Sequence, residues 1–152
     1  MVILGIDPGT SRVGYGIISD KPQLKLLDAG ILKITANDNT KRLLETKKQI
    51  RILIKRFKPG VMAIEKLYFM RNQKTAMSVA EARGVVLLCA AESKLKIKEF
   101  GPNEIKAGIT GYGLSDKKAV LKMVRLILKE PGLKAVDDAS DALAAAILCS
   151  RN

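Results

Sequence analysis

The 152-residue chain contains no histidine and no tryptophan, with three phenylalanines and three tyrosines as its entire aromatic content. Without histidine, Ser-His and Cys-His nucleophile systems, histidine-bearing zinc sites and an imidazole general base are all excluded. So few rings also leave little for a stacking platform of the single-strand-binding type. Cysteine is nearly as scarce. Cys89 and Cys149 lie in apolar, alanine-rich segments without metal or redox spacing and read as buried packing thiols. No run approaches the roughly 18 apolar residues of a membrane span, and no basic leader precedes Asp7, which predicts a cytoplasmic protein with no membrane association. Acids are the remaining shortage: 15 Asp+Glu face 27 Lys+Arg, a formal net charge of +12. That excess favours polyanions, meaning nucleic acid, acidic proteins or an anionic surface.

What is present is ordinary for a folded domain. A hydrophobic fraction of 47% and a charged fraction of 28% argue against disorder, and the length suits one domain over 1–152. Val2 to Asp7 reads as a buried strand ended by Pro8-Gly9, and Val13 to Ser19 as its antiparallel partner. Gly14 and Gly16 fall on one face of that second strand, where a ligand or another backbone can come close. A third strand is predicted from Leu24 to about Ile34, then a capping turn at Asn37-Asp38-Asn39. Leu43, Ile50, Leu53, Ile54 and Phe57 recur at helical spacing until Pro59-Gly60. Val61 to Glu65 is a fourth strand and Ile97 to Phe100 a fifth. Between them, Lys74 to Lys94 is apolar on nearly every side, and such a helix must be covered on every side, so a subunit partner is predicted there. A short helical piece follows from Gly101-Pro102 to about Ala107, a mobile loop from Gly108 to Ser115, and an amphipathic helix from Asp116 to Lys129. The last helix spans about Asp138 to Cys149. Three consecutive strands followed by alternating helices and strands predict an α/β domain, a five-stranded mixed sheet flanked by helices.

Four acids stand at places where chemistry can gather. Asp7 and Glu65 each end a strand. Asp138 and Asp141, three apart, share one face of the last helix, whose alanines allow close approach to the sheet. Each of these positions also has a plain structural reading: Asp7 as a turn residue, Glu65 as a strand-end acid, and Asp137, Asp138 and Asp141 as helix-capping acids. By the same default, Lys106 and Lys117 are solvated surface charges. If the four acids converge, their mutual repulsion calls for a cation, and hard carboxylate oxygens suit Mg²⁺ or Mn²⁺. Setting them aside leaves +16 on the rest of the molecule. A negative pocket in a basic surface is the arrangement a nuclease needs.

The segments GIDPGTSRVGYGII (5–18), AIEKLYFMRN (63–72), ARGV (82–85) and DDASDALAAAI (137–147), in this order and at this length, resemble the RuvC family of Holliday-junction resolvases. The resemblance runs from about Ile3 to Leu148 and implies an RNase H-like fold. It further implies a homodimeric endodeoxyribonuclease that resolves four-way DNA junctions by paired, metal-dependent hydrolysis in recombination and repair. Two Mg²⁺ ions per active site are implied, with Mn²⁺ as a substitute, and RuvA and RuvB as branch-migration partners. Position by position, Asp7, Glu65, Asp138 and Asp141 match the family's metal-binding acids, and Lys106 and Lys117 match lysines important for cleavage. Tyr68 matches, and Phe69 adjoins, an aromatic position set against bases at the junction centre, with Arg71 and Lys74 nearby as further DNA-binding positions. Asp137 adds an acid that competes with Asp138 for the metal-binding role, and Tyr68 stands where the motif usually has Phe. Three other readings remain open on the residues: an actin-like nucleotide-binding protein, a non-cutting junction binder, and an RNase H-like enzyme acting on RNA–DNA hybrids.

Overall fold

The computed structural model describes residues 1–68, 73–135 and 137–152. Three strands open the chain: β1 (Val2–Asp7), β2 (Arg12–Ser19) and β3 (Lys25–Lys33). They form an antiparallel meander in which Asp7 pairs with Gly14 and Arg12 with Lys33. Helix α1 (Asn39–Phe57) returns the chain to the other end of the sheet, so that β4 (Val61–Glu65) lies parallel to β1. Helix α2 (Gln73–Glu92) makes a second crossover to β5 (Lys96–Phe100), parallel to β4. The resulting order is β3-β2-β1-β4-β5. Helices α3 (Pro102–Thr110), α4 (Lys117–Leu128) and α5 (Asp137–Arg151) complete the chain. The predicted five-stranded mixed sheet is therefore present, with element ends within about two residues of expectation except at α3.

Strand alternation divides the core between the two faces of the sheet. Leu4, Ile6, Val13, Ile17, Met62 and Ile64 point to one side, where Ile50 and Leu53 of α1 and Val86, Cys89 and Ala90 of α2 cover them. Ile3, Ile18, Val61, Ala63 and Phe100 point to the other, under α3, α4 and α5. The same period of two that sends Ile3 and Ala63 toward α5 carries Asp7 and Glu65 to that face.

Helix α5 is buried along nearly its whole length, from Ala139 to Cys149. Its approach depends on glycines opposite it. A Cβ on Gly5 would lie 1.9 Å from the Ala142 carbonyl oxygen, and one on Gly14 would lie 2.1 Å from that of Asp138. Because Gly14 is the register partner of Asp7, this contact seats the first turn of α5 beside the end of β1.

Local signals explain most helix boundaries. Asp38 caps α1 by accepting from the Lys41 N–H at 3.0 Å, and Asp116 caps α4 by accepting from Ala119 at 2.8 Å. One boundary differs from expectation: Gly108, read as the start of a loop, lies inside α3. Its missing side chain makes room for Leu148, whose Cδ1 would sit 2.5 Å from a Cβ there, and the helix runs on to Gly111, which closes it at φ 83°. The remaining turn is tied together by Thr110, whose hydroxyl lies 2.6 Å from that of Ser115 and accepts from the Tyr112 N–H. Cys89 and Cys149 are buried free thiols, as the sequence suggested.

Candidate active site

The chain brings Asp7, Glu65 and Asp141 into one cleft of about 330 Å³, walled by Pro102, Ile105 and Val120 and flanked by Lys106 and Lys117. Each comes from a different element. Asp7 ends β1, Glu65 ends the neighbouring β4, Asp141 faces them from α5, and the two lysines reach in from α3 and α4. Larger concavities run along α1 and beside the start of α2. They have no convergence of carboxylates, so size does not identify the site; electrostatics does.

Burial pushes the Asp7 carboxyl up to about 8, helped by the negative charges of Glu65, Asp141 and Asp138 and opposed by Lys117. Glu65 is also raised, first by burial and then by Asp141, against Lys106 and Lys117. Burial raises Asp141 despite its contact with the Lys117 ammonium 3.6 Å away. For Lys117 itself burial disfavours the charge, but Asp141 and Asp137 outweigh it and hold its pKa above the ordinary lysine value. Three carboxylates thus crowd a space with less positive charge than they need.

The fourth acid has a different setting. Asp138 does not line the cleft. Its carboxylate pairs with Arg12 at 3.2 Å, yet its charge is still felt at Asp7 and Asp141. Asp137 is turned further out, 68% exposed and 3.9 Å from Lys117. Of the two neighbours, Asp138 is therefore the one whose charge bears on Asp7.

The donor set fits a hard divalent cation in kind: carboxylate oxygens alone, half-buried, mutually repelling and without a histidine or thiolate among them. Among the described residues, no three such side chains stand close enough to enclose an ion as they lie. Lys117, beside Asp141, supplies part of the missing positive charge.

Around the cleft, Tyr68 is 60% exposed and lines a neighbouring hollow with Lys66, Ala80, Arg83 and Glu99. Lys74 is exposed on the first turn of α2. Phe69 and Arg71 lie outside the described residues. Two residues at the site were not foreseen in the sequence: Arg12, which holds Asp138, and Arg83, which donates to the Glu65 carbonyl oxygen at 3.3 Å. Arg83 stands in the ARGV segment, but nothing in that segment alone indicates where its side chain reaches.

Comparison with known proteins gives a consistent result. The family model described as "Crossover junction endodeoxyribonuclease RuvC" matches residues 3–149. A protein of that description from Petrotoga mobilis is 45% identical over 148 residues, covering 96% of this chain and 91% of the relative. One from Natranaerobius thermophilus is 42% identical, covering 99% and 95%. Among solved structures, Thermus thermophilus RuvC in complex with a Holliday junction substrate superposes with a TM-score of 0.90 at 30% identity, covering 97% of this chain and 92% of that one. The yeast mitochondrial resolvase Ydc2, at 13% identity and a TM-score of 0.68, shares the fold.

Proposed function

Because the chain belongs to the RuvC family of crossover junction endodeoxyribonucleases, we propose that it resolves four-way DNA junctions by metal-dependent phosphodiester hydrolysis, in DNA recombination and repair. The observation that carries this reading is the convergence of Asp7, Glu65 and Asp141 with Lys106 and Lys117 in one cleft. The Thermus relative that superposes so closely is bound to a Holliday junction, which supports the same substrate here.

Asp7, Glu65, Asp141 and Asp138 are the residues to hold two Mg²⁺ ions, with Mn²⁺ as a substitute. When bound, divalent ions supply Lewis acidity for the attack of water on phosphorus and for departure of the 3′ oxygen. The protein's own part begins with Asp7. With its pKa at about 8, the Asp7 carboxyl holds a proton at neutral pH in the metal-free protein, a proton it would have to give up to act as a ligand. Lys106 and Lys117 lie across the cleft from the strand ends and offset the charge that builds on the phosphate. Arg12 holds Asp138 at the rim, which keeps a fourth carboxylate close without crowding it into the cleft. The apolar walls Ile105 and Val120 limit water around these charges and so strengthen them.

Outside the cleft, the basic surface engages DNA backbone; Tyr68 and Phe69 are the expected aromatic positions for the junction centre, with Arg71 and Lys74 as further DNA-binding positions. A homodimer through α2 supplies the second nick. In the single chain Met77 is 70% and Leu88 50% exposed on that helix, an apolar surface suited to a second copy. RuvA and RuvB are the expected branch-migration partners by family resemblance, and the cytoplasm the expected compartment. No described helix is long and apolar enough to cross a membrane.

The test offers a synthetic four-way junction and an RNA–DNA hybrid side by side with Mg²⁺. Paired symmetric nicks in the junction, absent with EDTA, are the expected outcome. Cutting of the hybrid alone would reassign the substrate.

A further inference from the structure

Glu65 lies one residue beyond the last partner pair of β1 and β4, Ile6 with Ile64. The sheet therefore fixes the end of β4 on one side, through the Lys66 N–H donated to the Phe100 carbonyl at 2.8 Å, but its ladder with β1 has stopped. Arg83 of α2 reaches this end. Its Nε donates to the Glu65 carbonyl oxygen at 3.3 Å, and its Nη2 pairs with the Glu99 carboxylate on β5. The side chain is 16% exposed, and a guanidinium holding two acceptors at once has a fixed direction. The charges that act on the Glu65 carboxyl are those of Asp141, Lys106 and Lys117, and Arg83 is not among them. Its hold is on the main chain.

We propose that Arg83 is a positioning residue for Glu65: by clamping the Glu65 peptide to α2 and β5, it sets the direction in which the Glu65 carboxylate enters the cleft. The clamp makes that carboxylate responsive to the position of α2, a helix with no side chain among the described residues that line the cleft. The inference rests on the proposed junction-nicking activity, and its test separates the two.

The variants are Arg83→Lys, Arg83→Met and Glu99→Gln, compared with wild type for kcat on saturating junction, junction Kd and Mn²⁺ binding to the DNA-free protein by electron paramagnetic resonance. Lysine keeps a positive charge for Glu99 but lacks the fork, so a purely stabilising ion pair would survive it and a clamp would not. The expected result is a fall in kcat of about 10- to 100-fold in both Arg83 variants, since small misplacements of catalytic groups cost that much. Junction Kd should stay within about twofold, and Mn²⁺ binding should weaken about tenfold. Glu99→Gln leaves an oxygen for Nη2 and should keep kcat within about threefold. Wild-type kcat and Mn²⁺ affinity in folded Arg83→Lys would overturn the proposal, and this variant decides the matter if Arg83→Met does not fold. If the wild type itself does not nick junctions, the proposed function fails, and the Mn²⁺ comparison still decides the role of Arg83.

Discussion

Replacing Asp7 with asparagine should stabilise the metal-free protein at alkaline pH while abolishing nicking, and the sign follows from where the Asp7 proton sits. In the unfolded chain the carboxyl titrates at its ordinary value of 3.8; in the fold, burial and the neighbouring acids move it up to about 8. Between those values the folded state binds a proton that the unfolded chain has released, so stability falls as pH rises through that window. Below about pH 4 both states are protonated and no penalty exists; above about 8 it is complete. At about 1.4 kcal/mol per pH unit between the two values, the ceiling is about 6 kcal/mol. The opposing charge of Lys117 is already contained in that shift, and relaxation and water penetration keep the realised cost below the ceiling. A gain of about 2 to 4 kcal/mol for Asp7→Asn is expected at pH 8.5, and less than about 1 at pH 4.5. Urea unfolding in EDTA at both pH values, at one fixed protein concentration, measures the difference. Millimolar Mg²⁺ should close the gap by stabilising wild type and not the variant. Equal effects at the two pH values, or destabilisation at pH 8.5, would refute the reasoning, because either result means that Asp7 is not a buried acid crowded by others.

Lys117→Met removes the cation 3.6 Å from Asp141, and single-turnover cleavage should slow by about 10- to 1000-fold with junction affinity little changed. Gly14→Ala drives a methyl group against the Asp138 carbonyl oxygen and should cost about 1 to 3 kcal/mol in thermal unfolding, with a larger proportional loss of nicking because Asp138 and Asp141 move together. Leu88→Asp places a charge on the exposed apolar side of α2 and should turn a dimer into a monomer in sedimentation analysis while each chain stays folded. Junction affinity should fall by about 10³-fold or more from 50 to 200 mM salt, and a flat dependence would count against phosphate contacts by the basic surface.

The placement of the acids was partly legible in sequence because it is built from periodicities, while the roles of Lys106 and Lys117 came only from the family resemblance, their residues alone reading as solvated surface charges. Alternation along β1 and β4 fixes the face of Asp7 and Glu65, and the parallel register puts the two strand ends side by side. Asp141 was expected near the strand ends because an alanine-rich last helix can approach the sheet closely; that it does so over Gly5, Gly14 and Gly16 is what the structure adds. Residues whose role is decided by a distant neighbour carry no such local signal. Gly108 looked like loop punctuation because glycine usually ends helices; that it instead makes room for Leu148, forty positions away, has no local trace. The Asp137 and Asp138 ambiguity could not be resolved from spacing, since consecutive residues differ in what they face and not in pattern. Their surroundings differ: Arg12 at the start of β2 pairs with Asp138, whose charge reaches Asp7, while Asp137 lies 3.9 Å from Lys117 and acts on Asp141.

The same distinction bears on why the lysines matter. A chain with 27 basic residues has no reason, by composition, to favour two of them. Lys106 and Lys117 are set apart by the helices that carry them: α3 begins at Gly101-Pro102 directly after β5, and α4 begins at the Asp116 cap, so both present their early or middle turns to the strand ends where Asp7 and Glu65 stand. Net charge draws a polyanion toward the molecule from any side, but it does not decide where a bond breaks. That decision belongs to the few positions where burial removes water and leaves carboxylates short of countercharge, because there a scissile phosphate and its cations gain most by entering. In this chain the described residues meet that condition at the ends of β1 and β4, where burial and the neighbouring acids raise the Asp7 carboxyl to about 8.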